Sequence, residues 1–194
     1  VLGALASLGI LNPYTFAPKA QPGSCQVYRY GQGSTQYVSL VGTCTNMLPE
    51  YVAQFIYGQY SYVQANSEEI NTISGGYNTV TFWMDWSGAN NEMPFGFYEY
   101  DLWLINGYFG FNTGSGDNYG ISSNGLANKW VFVAAEFYNG PYTGNSILYI
   151  NGVKQTLIQN AGSASSGTAT SDFHISGWVI NSGNLFSGSL ANVQ

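Results

Sequence analysis

Thr79–Trp86 reads Thr-Val-Thr-Phe-Trp-Met-Asp-Trp. Side chains alternate along a β-strand, so Val80, Phe82, Met84 and Trp86 share one face and Thr79, Thr81, Trp83 and Asp85 the other. A wholly apolar face against a mixed one marks a strand packed on a core from one side. Trp130–Tyr138 carries apolar residues on both faces, as a central strand does. Asn151-Gly152 between Tyr149-Ile150 and Val153 is a hairpin signal of type I′, and Asn106-Gly107 between Leu104-Ile105 and Tyr108-Phe109 is a second one.

Outward from these segments, the chain breaks into about eleven strand-like pieces separated by Gly, Asn and Ser turns. They are Gln26–Tyr30, Gln36–Val41, Tyr51–Tyr57, Ser61–Ala65, Asn78–Trp86, Pro94–Ile105, Tyr108–Thr113, Trp130–Tyr138, Ser146–Gly152, Phe173–Ile180 and Phe186–Gln194. No convincing helical period appears after Cys25. The expected fold is mainly β, a two-sheet antiparallel jelly-roll sandwich over residues 25–194. The low-complexity run Ala161–Ser171 (AGSASSGTATS) reads as a flexible loop.

Composition limits the function. The chain has 194 residues, of which 16% are aromatic and only 7% charged. Globular chains carry roughly 25% charged residues. Polar, uncharged loops of this kind suit an extracellular β protein. The net charge is −6, and the four basic residues, Lys19, Arg29, Lys129 and Lys154, form no cluster. That argues against a nucleic-acid partner. So few carboxylates also imply tolerance of pH extremes. Cys25 and Cys44 flank two strand-like pieces, and a disulfide between them would close a loop of about 20 residues, contributing roughly 3 kcal/mol in the chain-entropy model. Two buried thiols are the alternative.

Residues 1–12 pose a separate problem. Val1 to Leu11 is apolar apart from one serine, and Asn12-Pro13 ends the run. Its Ala and Leu content favours a helix, with an extended strand inserted into a neighbouring subunit as the competing form. A bilayer span takes about 20 residues, so the run is too short to cross one and fits the last part of a longer apolar helix. Residues 13–24 hold three prolines and read as a linker. Val1, Leu2, Leu5, Leu8, Ile10 and Leu11 need cover from outside the domain, and packing against copies of the same chain in a filament supplies it.

Two resemblances extend this reading. Trp130-Val131-Phe132-Val133-Ala134, then Leu148-Tyr149-Ile150-Asn151-Gly152, then Phe186 to Gln194 resemble the closing pattern of laminin-G-like, concanavalin-A-like domains. Tyr51–Val63 and Thr79–Trp86 resemble that family's opening strands. The resemblance implies a jelly roll that binds glycans or protein surfaces, sometimes with calcium. The apolar tract ending Leu8-Gly9-Ile10-Leu11-Asn12-Pro13, followed by a linker and a cysteine-containing domain, is similar to the end of the N-terminal helix of archaeal type IV pilin-like proteins. That second resemblance implies a filament subunit on the cell surface.

The chemistry of individual residues is consistent with binding. Glu99 and Asp101 at i and i+2 of one strand would share a face about 7 Å apart at Cα. Laminarinase-like enzymes share the sandwich fold and use Glu-x-Asp-x-x-Glu, but here the last position is Leu104. The chain is therefore read as no enzyme. His174 is expected to be a satisfied structural histidine. The loop Asn112–Asn118 offers the oxygen ligands that calcium takes, with Asp117 and Asn118 as candidate ligands. Trp83, Trp86, Tyr98, Tyr100 and Trp103 are candidate rings for stacking on a sugar. The expected function is a structural subunit of an extracellular type IV pilus-like filament, self-associating and carrying an outward lectin-like domain for adhesion to glycans or other cell surfaces. The alternative is a secreted or tethered carbohydrate-binding adhesin that does not polymerise.

Overall fold

The computed structural model describes residues 52–56, 61–141, 144–178 and 183–194, and the backbone of two earlier strands. The apolar segment 1–12, with Val1, Leu2, Leu5, Leu8, Ile10 and Leu11, the linker 13–24, and Cys25 and Cys44 lie outside the described residues.

In chain order the strands are β1 (Gln26–Tyr30), β2 (Tyr37–Val41), β3 (Ala53–Phe55), β4 (Val63–Asn66), β5 (Tyr77–Trp86), β6 (Glu92–Phe97), β7 (Asp101–Ile105), β8 (Tyr108–Asn112) and β9 (Asn118–Ser122). They continue as β10 (Trp130–Tyr138), β11 (Gly140–Pro141), β12 (Ile147–Ile150), β13 (Val153–Lys154), β14 (Ile158–Ala161), β15 (Ser166–Gly167), β16 (Asp172–Ile175) and β17 (Gly188–Ala191). No helix occurs among the described residues. One sheet has six strands in the order β13-β12-β10-β5-β17-β3, the other seven in the order β14-β9-β8-β7-β6-β16-β4, and β1-β2 and β11-β15 form small pairs. Pairing between neighbouring strands is antiparallel throughout.

The core lies between the two large sheets. Val80, Phe82, Met84 and Trp86 of β5 are buried, as the alternation requires. Strand β10 lies between β5 and β12 and buries Val131, Val133, Ala135 and Phe137. The Phe137 ring is central, with Phe97, Tyr100 and Phe111 edge-on at centroid distances of 5.1, 4.9 and 5.0 Å. Both Asn-Gly hairpins form. Asn106 and Gly107 have φ of 50° and 85°, Asn151 and Gly152 have 52° and 78°, and Ile105 pairs with Tyr108 and Ile150 with Val153. Positive φ at both central residues is what a type I′ turn demands.

Three expectations need correction. Pro94–Ile105 is not one strand: the Phe97 amide donates to the Tyr100 carbonyl at 2.8 Å, and this tight turn separates β6 from β7. Glu99 is therefore exposed at the turn while Asp101 is buried at the start of β7, so the two carboxylates do not share a strand face. The Ala161–Ser171 run is not a free loop, because Ser165 and Ala169 are tied by hydrogen bonds to Thr113 and Asn139. Strand β17 stops at Ala191, and Gln194 pairs by backbone with Thr81 in both directions, at 2.9 and 3.0 Å.

Two buried carboxyls also change the expectation about pH. Glu92 accepts hydrogen bonds from the Trp86 indole at 3.0 Å and the Ser187 amide at 3.1 Å, yet burial pushes its carboxyl up to about 7. Burial pushes Asp101 up to about 8, against the lowering effect of its Asn112 hydrogen bonds. Charge is scarce, but two of the acids present sit where ionisation is costly.

Candidate functional site

Three loops meet around one polar pocket. The first is the β6–β7 turn, which carries Tyr98 and Glu99. The Tyr98 amide donates to Thr170 Oγ1 at 3.2 Å, tying this turn to the third loop. Tyr100 turns the other way. It is 2% exposed, its hydroxyl lies 2.6 Å from Ser146 Oγ, and burial pushes its pKa up to about 12.

The second loop, between β8 and β9, is built around Asp117. Its Oδ1 accepts from the Thr113 amide at 2.8 Å and the Thr113 hydroxyl at 2.9 Å, with Ser115 Oγ at 3.0 Å. Gly114 and Gly116, at φ of 84° and 70°, let the chain fold back over the carboxylate. An added Cβ at Gly114 would meet Glu99 at 3.0 Å, so the first two loops touch. The third loop, between β14 and β16, is pinned to the second: the Ser165 amide donates to Thr113 Oγ1 at 2.8 Å, and Ser165 Oγ donates to the Thr113 carbonyl at 3.0 Å.

The pocket between these loops is open to solvent and has a volume of about 370 Å³. One ring (Tyr98), one carboxylate (Glu99) and the hydroxyl-bearing residues Thr113, Ser165, Ser166 and Thr168 line it. Because hydrogen bonds already connect the loops, the pocket is largely formed before any ligand arrives.

A buried acidic group underlies this pocket's loops. Asn112, opposite Asp101 in the β7–β8 register, points its Nδ2 at both Asp101 carboxyl oxygens, each at 3.2 Å. Asp117 adds to the upward shift of Asp101 through like charge. Asn112 Oδ1 and Asp117 Oδ2 are buried acceptors with no hydrogen-bond partner. Asn118 behaves differently, since its Nδ2 donates to the Trp103 carbonyl and its Oδ1 accepts from Asn160.

The ring candidates do not form one platform. Tyr98 is 47% exposed and lines the pocket. Tyr100 is core, because the turn at Phe97–Tyr100 directs it inward against Phe137. Trp86 is also core, on the buried face of β5. Trp83 is on the outer face of the six-stranded sheet, 5.5 Å from Phe132. Trp103 belongs to the seven-stranded sheet and donates its indole proton to Asn91 Oδ1 at 3.0 Å. His174 is buried on β16 and stacked on Tyr62 at 5.3 Å, but neither ring nitrogen has a partner, and burial holds its pKa below the usual value.

The pocket-lining residues that the sequence reading does not single out are Ser165, Ser166 and Thr168, and Glu99 figures there only as part of an enzyme-like pattern. The Ser/Thr-rich composition of Ala161–Ser171 was the available signal, because hydroxyls concentrated between strands serve as ready hydrogen-bonding groups.

No protein-family model matches the chain, and no curated protein matches it in sequence. Among solved structures, domains LG4-5 of the mouse laminin alpha1 chain align with a TM-score of 0.51 and 16% identity, over 92% of this chain and 46% of that one. The LG1-3 region of the laminin alpha2 chain gives a TM-score of 0.47 and 13% identity, over 82% of this chain and 34% of that one. The chain thus spans less than half of either. The alpha1 likeness defines the fold as a laminin-G-like jelly roll.

Proposed function

We propose that this jelly roll is a lectin-like module that works outside the cell and binds a glycan in the three-loop pocket. The supporting observation is the pocket's chemistry. The exposed Tyr98 ring offers a stacking face, while Glu99 and the exposed hydroxyls of Ser165, Ser166 and Thr168 can bond sugar hydroxyls. We read the module as a binder without catalytic activity, because the third position of the laminarinase-like pattern is Leu104, a core residue at 1% exposure.

Calcium is the metal that the loop carrying Asp117 would take, although no cluster of three acidic, histidine or cysteine side chains is placed to hold a metal among the described residues. The oxygen that supports this is Asp117 Oδ2, a buried hard donor with no hydrogen-bond partner. Asn118 drops out of the candidate ligands, since both polar atoms of its side chain are already engaged.

The chain as a whole is proposed to be a subunit of a type IV pilus-like filament, with Cys25 and Cys44 joined by a disulfide. What supports this is the apolar run Val1–Leu11 and its proline-containing linker. Two experiments test the reading. A glycan array with and without calcium should give hits that Tyr98→Ala removes; an array blank in both conditions would refute the lectin role. Deleting residues 1–12 should abolish filaments seen by electron microscopy and leave a folded monomer. Filaments surviving the deletion would refute the packing role of Leu5, Leu8 and Leu11.

A further inference from the structure

A second recess, of about 390 Å³, lies between the sheets and has different chemistry. Val80 of β5 lines it from the six-stranded sheet, and Phe95 of β6 with Phe173 and Ile175 of β16 from the seven-stranded sheet. Val80 is the smallest of the four core residues on β5, the others being Phe82, Met84 and Trp86. A short side chain at this end of the strand leaves space that Phe95 and Ile175, held in the opposite sheet, do not fill.

The rim is fixed. Asn78 accepts from the Asn71 amide and donates to the Asn71 carbonyl, both at 2.8 Å. The Gln194 backbone is paired with Thr81. Among the described residues, Glu69 is the one carboxylate on the rim and no basic residue lines the recess. An anionic head group would find no counter-charge there and would meet Glu69 in a chain of net charge −6.

We propose that this cleft binds an alkyl chain with an uncharged head group, for which an n-alkanol is the probe, and discriminates against the corresponding carboxylate. The recess is open on one side, and its volume of about 390 Å³ has room for a chain of up to about ten carbons with the head group at the mouth. The site is independent of the loop pocket and of the glycan reading.

The test is calorimetric titration of the full chain with the n-alkanol series from hexanol to decanol, and with decanoate, at pH 7.5. Affinity should rise roughly fourfold per added methylene, the value expected for burying each group. Decanoate should bind about tenfold or more weakly than decanol, and Glu69→Gln should narrow that gap. Val80→Phe and, separately, Val193→Phe should fill the cleft and abolish decanol binding while leaving glycan binding intact. Val193 packs against the core from outside the strands, so its variant guards against a folding defect at position 80. The proposal fails if decanol shows no saturable binding, if decanoate binds equally well, or if both filled variants bind decanol like the parent.

Discussion

The two recesses are close in size, about 370 and 390 Å³, and are built by opposite means. The polar one is assembled from three loops far apart in sequence, and its shape depends on hydrogen bonds that converge on Asp117 and Thr113. The apolar one is a gap between two sheets, and its shape depends on which strand positions carry small side chains. A loop site can therefore lose its geometry with one polar contact, while an interlayer site responds to volume.

Phe137→Ala should break the comparison most severely. Its ring touches Phe95, which lines the apolar cleft, at 6.0 Å, and Tyr100, beside the turn of the polar pocket, at 4.9 Å. Truncating a buried phenylalanine costs about 3–5 kcal/mol, and both sites should deteriorate together. Denaturant unfolding with both binding assays checks this; loss of one site alone would show that the sites do not share this support.

Asp117→Ala should separate them. It strips the acceptor from two donors of Thr113, a residue only 5% exposed, and buried donors left unpaired cost about 1–3 kcal/mol each. Glycan and calcium binding should disappear while decanol binding persists. If all of them persisted, the hydrogen-bond account of the loop pocket would be wrong.

Proton linkage comes next. Glu92 and Asp101 hold their protons more tightly folded than unfolded, so their contribution is fully present below about pH 4 and is lost as pH rises through about 7 and about 8. His174 has the opposite sign: its pKa is lowered, so its share is lost as pH falls below its ordinary 6.5. Stability in calcium-free buffer should therefore fall more steeply above pH 6.5 than below it, by an amount on the order of 2–4 kcal/mol by pH 9. Asp101→Asn should flatten the upper part of that curve. Melting curves from pH 5 to 9 read both effects, and a flat profile would contradict the buried carboxyls.

Tyr98→Ala should have the smallest effect on folding. An exposed turn residue changes stability by no more than about 0.5 kcal/mol, while glycan affinity should drop about tenfold. An unchanged glycan affinity would remove the ring from the site.

The strand pattern was legible because it is local. Val80, Phe82, Met84 and Trp86 reveal their common face by period alone, and Asn106-Gly107 and Asn151-Gly152 reveal their turns through the positive φ that these residues tolerate. The break at Phe97–Tyr100 was not legible, since Tyr and Glu carry no turn signal and the apolar run on either side looks continuous. β9, at Asn118–Ser122, was missed for a related reason: Asn and Gly weaken strand propensity, and pairing with Phe109, Gly110 and Phe111 overrides it.

Sequence alone determined the architecture: alternating apolar positions with Asn-Gly turns leave an antiparallel sandwich as the economical way to bury so many rings. It also singled out Tyr98, which the fold puts on the loop pocket, and Asp117, which the fold puts beneath it, among neighbours such as Tyr100 and Asn118 that the fold uses elsewhere. Tertiary structure decided which groups face one another. Glu99, Thr113 and Ser165 are brought together by loop closure, and Val80 and Ile175 by the stacking of separate sheets. The physical reason is that periodicity specifies the face on which a side chain lies, whereas a site needs groups from several segments at one point in space.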